Sequence, residues 1–366
     1  MSDIVIDPRP TPATTVRAPL TVPVTSEPPG APGSTAGPAA ATNPTLTGEW
    51  VPVTGNLTGM SSECGNVGLA SVPAADLLVA GVALRGLWSI APGTTEWTPL
   101  GVGGDPITNR ILSLVVDPAD PATYWESGPY GAGGVYRTDD HGATFVRQGD
   151  VTHTDHVSVD FTDPERRTLL AGSHESPVLY RSTDGGDTWD EVPGLPGDHG
   201  FATSPHVIDA QTFLLGTSNG DAAGVFRSVD GGESWTQVFE GGVVGAPVVQ
   251  ADGTLHWLAQ DGAGLVTSAD DGVTWTERPG NGAIARTAGD LIGMPDGSLV
   301  TFSDTSIVQS ADGGATWQRV GPALPYTPND VAYAAGEATF YVSRFDCSFT
   351  DDNPIKPDAI LRLVSG

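Results

Sequence analysis

A single loop design returns five times in this chain: Ser/Thr-x-Asp-x-Gly-x-Ser/Thr-Trp/Phe, at residues 138–145, 182–189, 228–235, 268–275 and 310–317. The motif aspartates Asp140, Asp184, Asp230, Asp270 and Asp312 follow one another at intervals of 44, 46, 40 and 42 residues. That interval is the length of one four-stranded propeller blade, a unit that cannot bury its apolar face alone and must stack on copies of itself. Each loop has the chemistry of a hairpin tip. The carboxylate is expected to accept hydrogen bonds from backbone amides two residues on, the glycine supplies a positive φ, and the aromatic opens the next strand while covering the blade edge. Short apolar runs ending in arginine precede the first three copies, as in Gly134-Val-Tyr-Arg137.

A worn sixth copy stands upstream. Residues 86–97 match residues 134–145 in length, with Trp97 kept at the aromatic position and the aspartate gone. Downstream of Trp317 only three strand-like runs remain, near 330–335, 339–343 and 359–364, so the last blade lacks a strand. The segment around Trp50, residues 49–57, reads like the strands that follow each repeated loop. The expected fold is therefore all-β, a seven-bladed propeller of four-stranded antiparallel blades closed by an N-terminal strand pairing in the last blade. Residues 48–366 form that propeller in this reading. Residues 1–47, crowded with Pro, Thr, Ala and Gly, are expected to be a disordered tail that can dock on a partner.

The repeated loops resemble the Asp-box, or BNR repeat, shared by sialidases, xyloglucan-degrading hydrolases, sortilin-type receptors and photosystem assembly factors of the Ycf48 type. The resemblance implies a propeller and covers roughly residues 86 to 320; the repeat is common to enzymes and binders, so it implies no single activity. Sialidases of this kind carry an Arg-Ile-Pro motif, an arginine triad and a Tyr–Glu nucleophile pair. Here Arg-Ile-Pro is absent; Arg110, Arg286 and Arg344 are the available arginines, and Tyr326 and Tyr333 the available tyrosines. Xyloglucan hydrolases place a catalytic aspartate in a first-blade Thr-Asp-x-Gly-Gly stretch, where this chain reads Gly81-Val-Ala-Leu-Arg-Gly86.

Charge narrows the partners. With 44 acidic residues against 16 basic ones, the net charge is −28, which repels phosphate backbones and argues against nucleic acid. The opening residues show neither a basic n-region nor an apolar h-region, and no run is long enough to span a bilayer, so the expectation is a soluble protein, cytoplasmic by default. The two cysteines, Cys64 and Cys347, fall in blades that adjoin across the seam; a disulfide between them would instead indicate a secreted protein.

Antiparallel order assigns the loops to two faces. The repeated loops join strands three and four, and their carboxylates are read as structural. Loops joining strands two and three emerge on the opposite face with the blade-to-blade connections, and function is sought there. All seven histidines lie between His141 and His256. His153, His156 and His174 are the candidate ligands for a divalent metal, and Glu126, Glu175 and Asp155 the candidate catalytic carboxylates, Glu126-Ser127 and Glu175-Ser176 reading as equivalent pairs in successive blades. Tyr130, Arg110, Arg286, Arg344 and His199 are candidate ligand-binding groups, with Arg85, Asn219, Asp261, Asp304 and Asp346 on the same rim. Three functions stay open: a recognition or assembly propeller holding a glycan, peptide or protein partner; a glycoside hydrolase, sialidase-like or glucanase-like; and a metal-dependent enzyme on the histidines.

Overall fold

The computed structural model describes residues 48–365 apart from 132, 198, 261–263, 281–290 and 345–352. The expected tail, residues 1–47, lies outside the described residues, as does the Cys64–Cys347 pairing, since residue 347 is not described and nothing is said of the Cys64 side chain.

Seven sheets form the blades of a β-propeller. The first blade runs Val67–Val72, Leu77–Val82, Gly86–Ile90 and Trp97–Pro99 from the inside out. The next five begin at Ser113, Thr154, Phe201, Val243 and Ile292. In the seventh, Asp330–Ala334, Thr339–Ser343 and Ile360–Ser365 are joined by Gly48–Pro52, which pairs antiparallel with Ile360–Ser365 and sets Trp50 opposite Leu363. The Trp50 indole donates to the Pro322 carbonyl at 2.9 Å, tying the closing strand to the connection from the sixth blade. Past the strand, Val53 donates to the Ile360 carbonyl at 2.9 Å, and Thr54 Oγ1 accepts from the Ile360 amide at 2.9 Å. An edge that would otherwise invite pairing by another chain is thereby filled. The second blade gains a fifth strand, Gly103–Gly104, which pairs parallel to Thr144–Arg147.

The core is divided among the blades. Apolar clusters fill the spaces between neighbouring sheets, the one at the seam joining Val53 and Leu57 to Val67, Ala332 and Ile360. Glycines let blades approach: a Cβ on Gly81 would lie 2.2 Å from Ile111 Cγ2, and one on Gly216 2.4 Å from the Trp257 ring. Packing at this density leaves no room for a methyl group.

The repeated loops share one hydrogen-bond scheme. Asp140 Oδ1 accepts from the Thr144 amide at 2.8 Å and from Thr138 Oγ1 at 2.8 Å; its Oδ2 accepts from Thr144 Oγ1 at 2.6 Å. Thr138 Oγ1 in turn accepts from the Gly142 amide at 2.9 Å, with Gly142 at φ +83°. The same bonds recur around Asp184, Asp230, Asp270 and Asp312. The main-chain partner is thus four residues on, not two, because the motif hydroxyl takes the nearer amides. The aromatic reaches the blade before its own: Trp189 Nε1 donates to the Gln148 carbonyl at 3.0 Å, and Trp97 of the worn copy donates to Val53 at 2.9 Å. These acceptor bonds hold the Asp140, Asp184 and Asp230 carboxyls down at about 2, with the motif Ser or Thr side chain the largest cause.

Candidate functional site

On the face opposite the repeated loops, one group of side chains is built by the second and third blades. Tyr130 sits in the loop after Asp120–Gly128, His153 just before Thr154–Val159, and Glu175 just after Leu169–Ser173. All three adopt left-handed backbone, at φ +65°, +53° and +47°. Non-glycine residues visit this region at a cost and concentrate where surrounding structure enforces a geometry. Beside them runs a hydrogen-bonded chain: Asp155 Oδ1 lies 2.7 Å from His174 Nδ1, and His174 Nε2 lies 2.9 Å from the Tyr130 hydroxyl. The His174 amide donates to the His153 carbonyl at 2.6 Å, and the Tyr130 ring meets the His174 and His153 rings edge-on at 5.0 and 5.9 Å.

Electrostatics sets the protonation of this chain. The hydrogen bond to Asp155 raises the His174 imidazole against the opposing effect of burial, and Glu175 adds to the rise. Burial, then Glu175, raises the Tyr130 phenol, so it stays protonated at neutral pH. Imidazolium donates to the phenol oxygen and leaves the phenol proton to point at a ligand; neutral imidazole accepts that proton and leaves oxygen lone pairs. Tyr130 is therefore a hydrogen-bond group whose polarity follows the charge on His174. Arg110 is within electrostatic reach of both.

Glu126 is placed differently from its expected role on the rim. It is fully buried, where Asn109 Nδ2 donates to its Oε2 at 3.1 Å. Glu126 Oε1 and Asn109 Oδ1 are both buried without another partner, and burial pushes the carboxyl up to about 8. A protonated acid donating from Oε1 to Asn109 Oδ1 pairs both atoms at once. The two Glu-Ser pairs are not equivalent: Glu126 lies inside Asp120–Gly128, whereas Glu175 follows the end of its strand and is 70% exposed. Ser127, pointing the other way, donates to the Asp155 carbonyl at 2.8 Å.

The expected metal group does not assemble. Among the described residues no three His, Cys, Asp or Glu side chains are disposed to hold a metal ion. Both nitrogens of His174 face Asp155 and Tyr130, and His156 lines the central channel. His199 is packed in, only 3% exposed, with Nε2 3.1 Å from the Pro177 carbonyl, Nδ1 against the Pro196 carbonyl and its ring on Phe226. Arg344 is bound at 2.5 Å to Asp358 and stacked over Tyr326; Tyr333 packs on Phe340. Arg286, Asp261 and Asp346 lie outside the described residues. Arg85 and Asp304 are exposed in the strand two-to-three loops of the first and sixth blades, not in the second and third blades that build this group.

Sequence reasoning missed Asp330, which with Leu69, Ile111, Ser113, His156 and Val331 lines a channel of about 470 Å³. Its Oδ2 accepts from the Leu69 amide (3.3 Å), Asn329 Nδ2 (2.8 Å) and Ser343 Oγ (3.0 Å), bridging the seventh and first blades, while burial raises its carboxyl. An acidic first residue on an apolar strand gives no signal of this in sequence. Among the described residues no helix is long and apolar enough to cross a membrane.

No family model matches the chain. A xyloglucanase from Paenibacillus sp is 28% identical over 148 residues, covering 36% of this chain and 14% of the relative. A GH74 enzyme from Niastella koreensis superposes with TM-score 0.61 at 17% identity, over 81% of this chain and 53% of that one. A GH74 xyloglucanase from Xanthomonas campestris gives 0.56 at 21% identity, over 83% and 54%. The chain thus spans about half of those solved structures and far less of the curated relative.

Proposed function

We propose that this chain is a recognition propeller that holds a glycan or protein partner on the face opposite the repeated loops, without cutting it. The loops are read as Asp-boxes with a structural role. The carrying observation is the Tyr130–His174–Asp155 chain, whose imidazole–phenol pair, flanked by left-handed His153 and Glu175, gives a rigid hydrogen-bonding surface. Hydrolysis of a glycoside asks for two accessible carboxyls about 5–10 Å apart. Of the candidates, Glu126 is fully buried and Asp155 is 5% exposed and bonded to His174, which favours holding over cutting. A glycan array followed by a reducing-end assay on the bound glycans tests this. Binding without product is expected; release of new reducing ends overturns the non-catalytic reading.

A second reading, glycoside hydrolysis on the same face, draws support from the likeness to the Paenibacillus xyloglucanase. In that case Glu175, 70% exposed, is the carboxylate in reach of a substrate, and xyloglucan is the first substrate to offer.

A further inference from the structure

A hollow of about 590 Å³ opens on the same face between the fourth and fifth blades, well away from Tyr130 in the chain order of blades. Its wall is made by the loop between Phe213–Ser218 and Gly224–Ser228, by Gly241 and Gly242 linking the two blades, and by Gln260 after Leu255–Ala259. Three primary amides line it, those of Asn219, Gln237 and Gln260, together with the carboxylates of Asp221 and Glu240.

We propose that this hollow is a binding subsite for a neutral, hydroxyl-rich ligand such as a hexose unit. The amides are held in place. Gln260 Nε2 donates to Asn219 Oδ1 at 3.3 Å, and Gln237 Nε2 donates to the Ala222 and Ala223 carbonyls at 3.1 and 3.4 Å. Two of the three lie against a glycine that only a missing side chain permits: a Cβ on Gly242 would sit 2.0 Å from Gln260 Oε1, and one on Gly224 2.8 Å from Gln237 Nε2. Asn219 takes left-handed backbone at φ +66°. Planar groups carrying paired donors and acceptors match adjacent sugar hydroxyls, and the volume falls within the range of small-molecule sites. Among the described lining residues there is no arginine or lysine to hold an anion, and no large apolar side chain to hold a lipid. The fixed amides hold the ligand by hydrogen bonds without a stacking ring, which sets a weak, millimolar affinity for one sugar unit.

Titration of isotope-labelled protein with methyl β-D-glucopyranoside and with cellobiose, followed by backbone amide NMR, tests the proposal. Saturable shifts are expected at residues 220–223, 241 and 242. Gln260→Ala weakens the affinity by about tenfold, and Asp221→Asn, on an exposed loop where folding is not at stake, weakens it too. The absence of saturable shifts up to about 50 mM sugar overturns the subsite, since millimolar binding saturates there. Shifts confined to Tyr130 and His174 overturn it while leaving the recognition reading intact. Shifts here with none at Tyr130 support the subsite and count against the site proposed above.

Discussion

Replacing Glu126 with glutamine isolates one buried proton. Glu126 is 0% exposed, and its carboxyl is pushed from the ordinary 4.5 to about 8, burial being the larger cause and the Asn109 hydrogen bond opposing it. A group whose folded value is raised contributes stability that is fully present below its unfolded value and lost as pH climbs through the folded one. Wild-type protein should therefore lose stability between pH 4.5 and 8 through this residue. Each tenfold step in proton affinity is about 1.4 kcal/mol, so the whole interval amounts to at most roughly 5 kcal/mol. Glutamine has the shape and hydrogen-bonding pattern of the protonated acid: its Nε2 donates to Asn109 Oδ1 and its Oε1 accepts from Asn109 Nδ2. Urea unfolding of both proteins at several pH values is the assay. The difference between them cancels the titration of the remaining acids. Near pH 4.5 the two should agree within about 1 kcal/mol, and by pH 8 the variant should be the more stable by several kcal/mol. A difference that does not change with pH refutes a neutral, buried Glu126.

Gly81→Ala drives a methyl group into Ile111 Cγ2 and should cost about 1–3 kcal/mol of unfolding free energy; an unchanged denaturation midpoint would mean the first two blades are not packed as described. Trp50→Ala removes the seam indole and its bond to Pro322 and should cost about 2–4 kcal/mol, read as a lower denaturation midpoint; wild-type stability would place closure elsewhere. Asp155→Asn removes the main cause of the raised His174 value, so the imidazole should titrate lower in NMR. The matching stability, present below the ordinary histidine value and lost as pH rises through the folded one, should vanish with it.

The repeat made the ring legible because a glycine, a short acid and an aromatic at fixed offsets leave few alternatives for a hairpin tip. The closing strand was legible for a related reason: the last blade was one strand short, and residues near Trp50 resembled the missing one. Side-chain direction was not legible. Glu126 and Ser127 are neighbours, yet strand alternation sends one toward Asn109 and the other toward Asp155. Whether a Glu-Ser pair falls inside a strand or just beyond it depends on strand length, which is nine residues for Asp120–Gly128 and five for Leu169–Ser173. Three histidines close in sequence likewise separated, because His156 turns into the channel while His174 is captured by Asp155 and Tyr130.

Hydrogen exchange with and without the best array ligand bears most directly on which face recognises it. Protection is predicted in residues 127–131, 151–155 and 174–177, with the repeated loops exchanging as before. Protection confined to residues 138–145, 182–189, 228–235, 268–275 and 310–317 would place recognition on the opposite face and contradict the account.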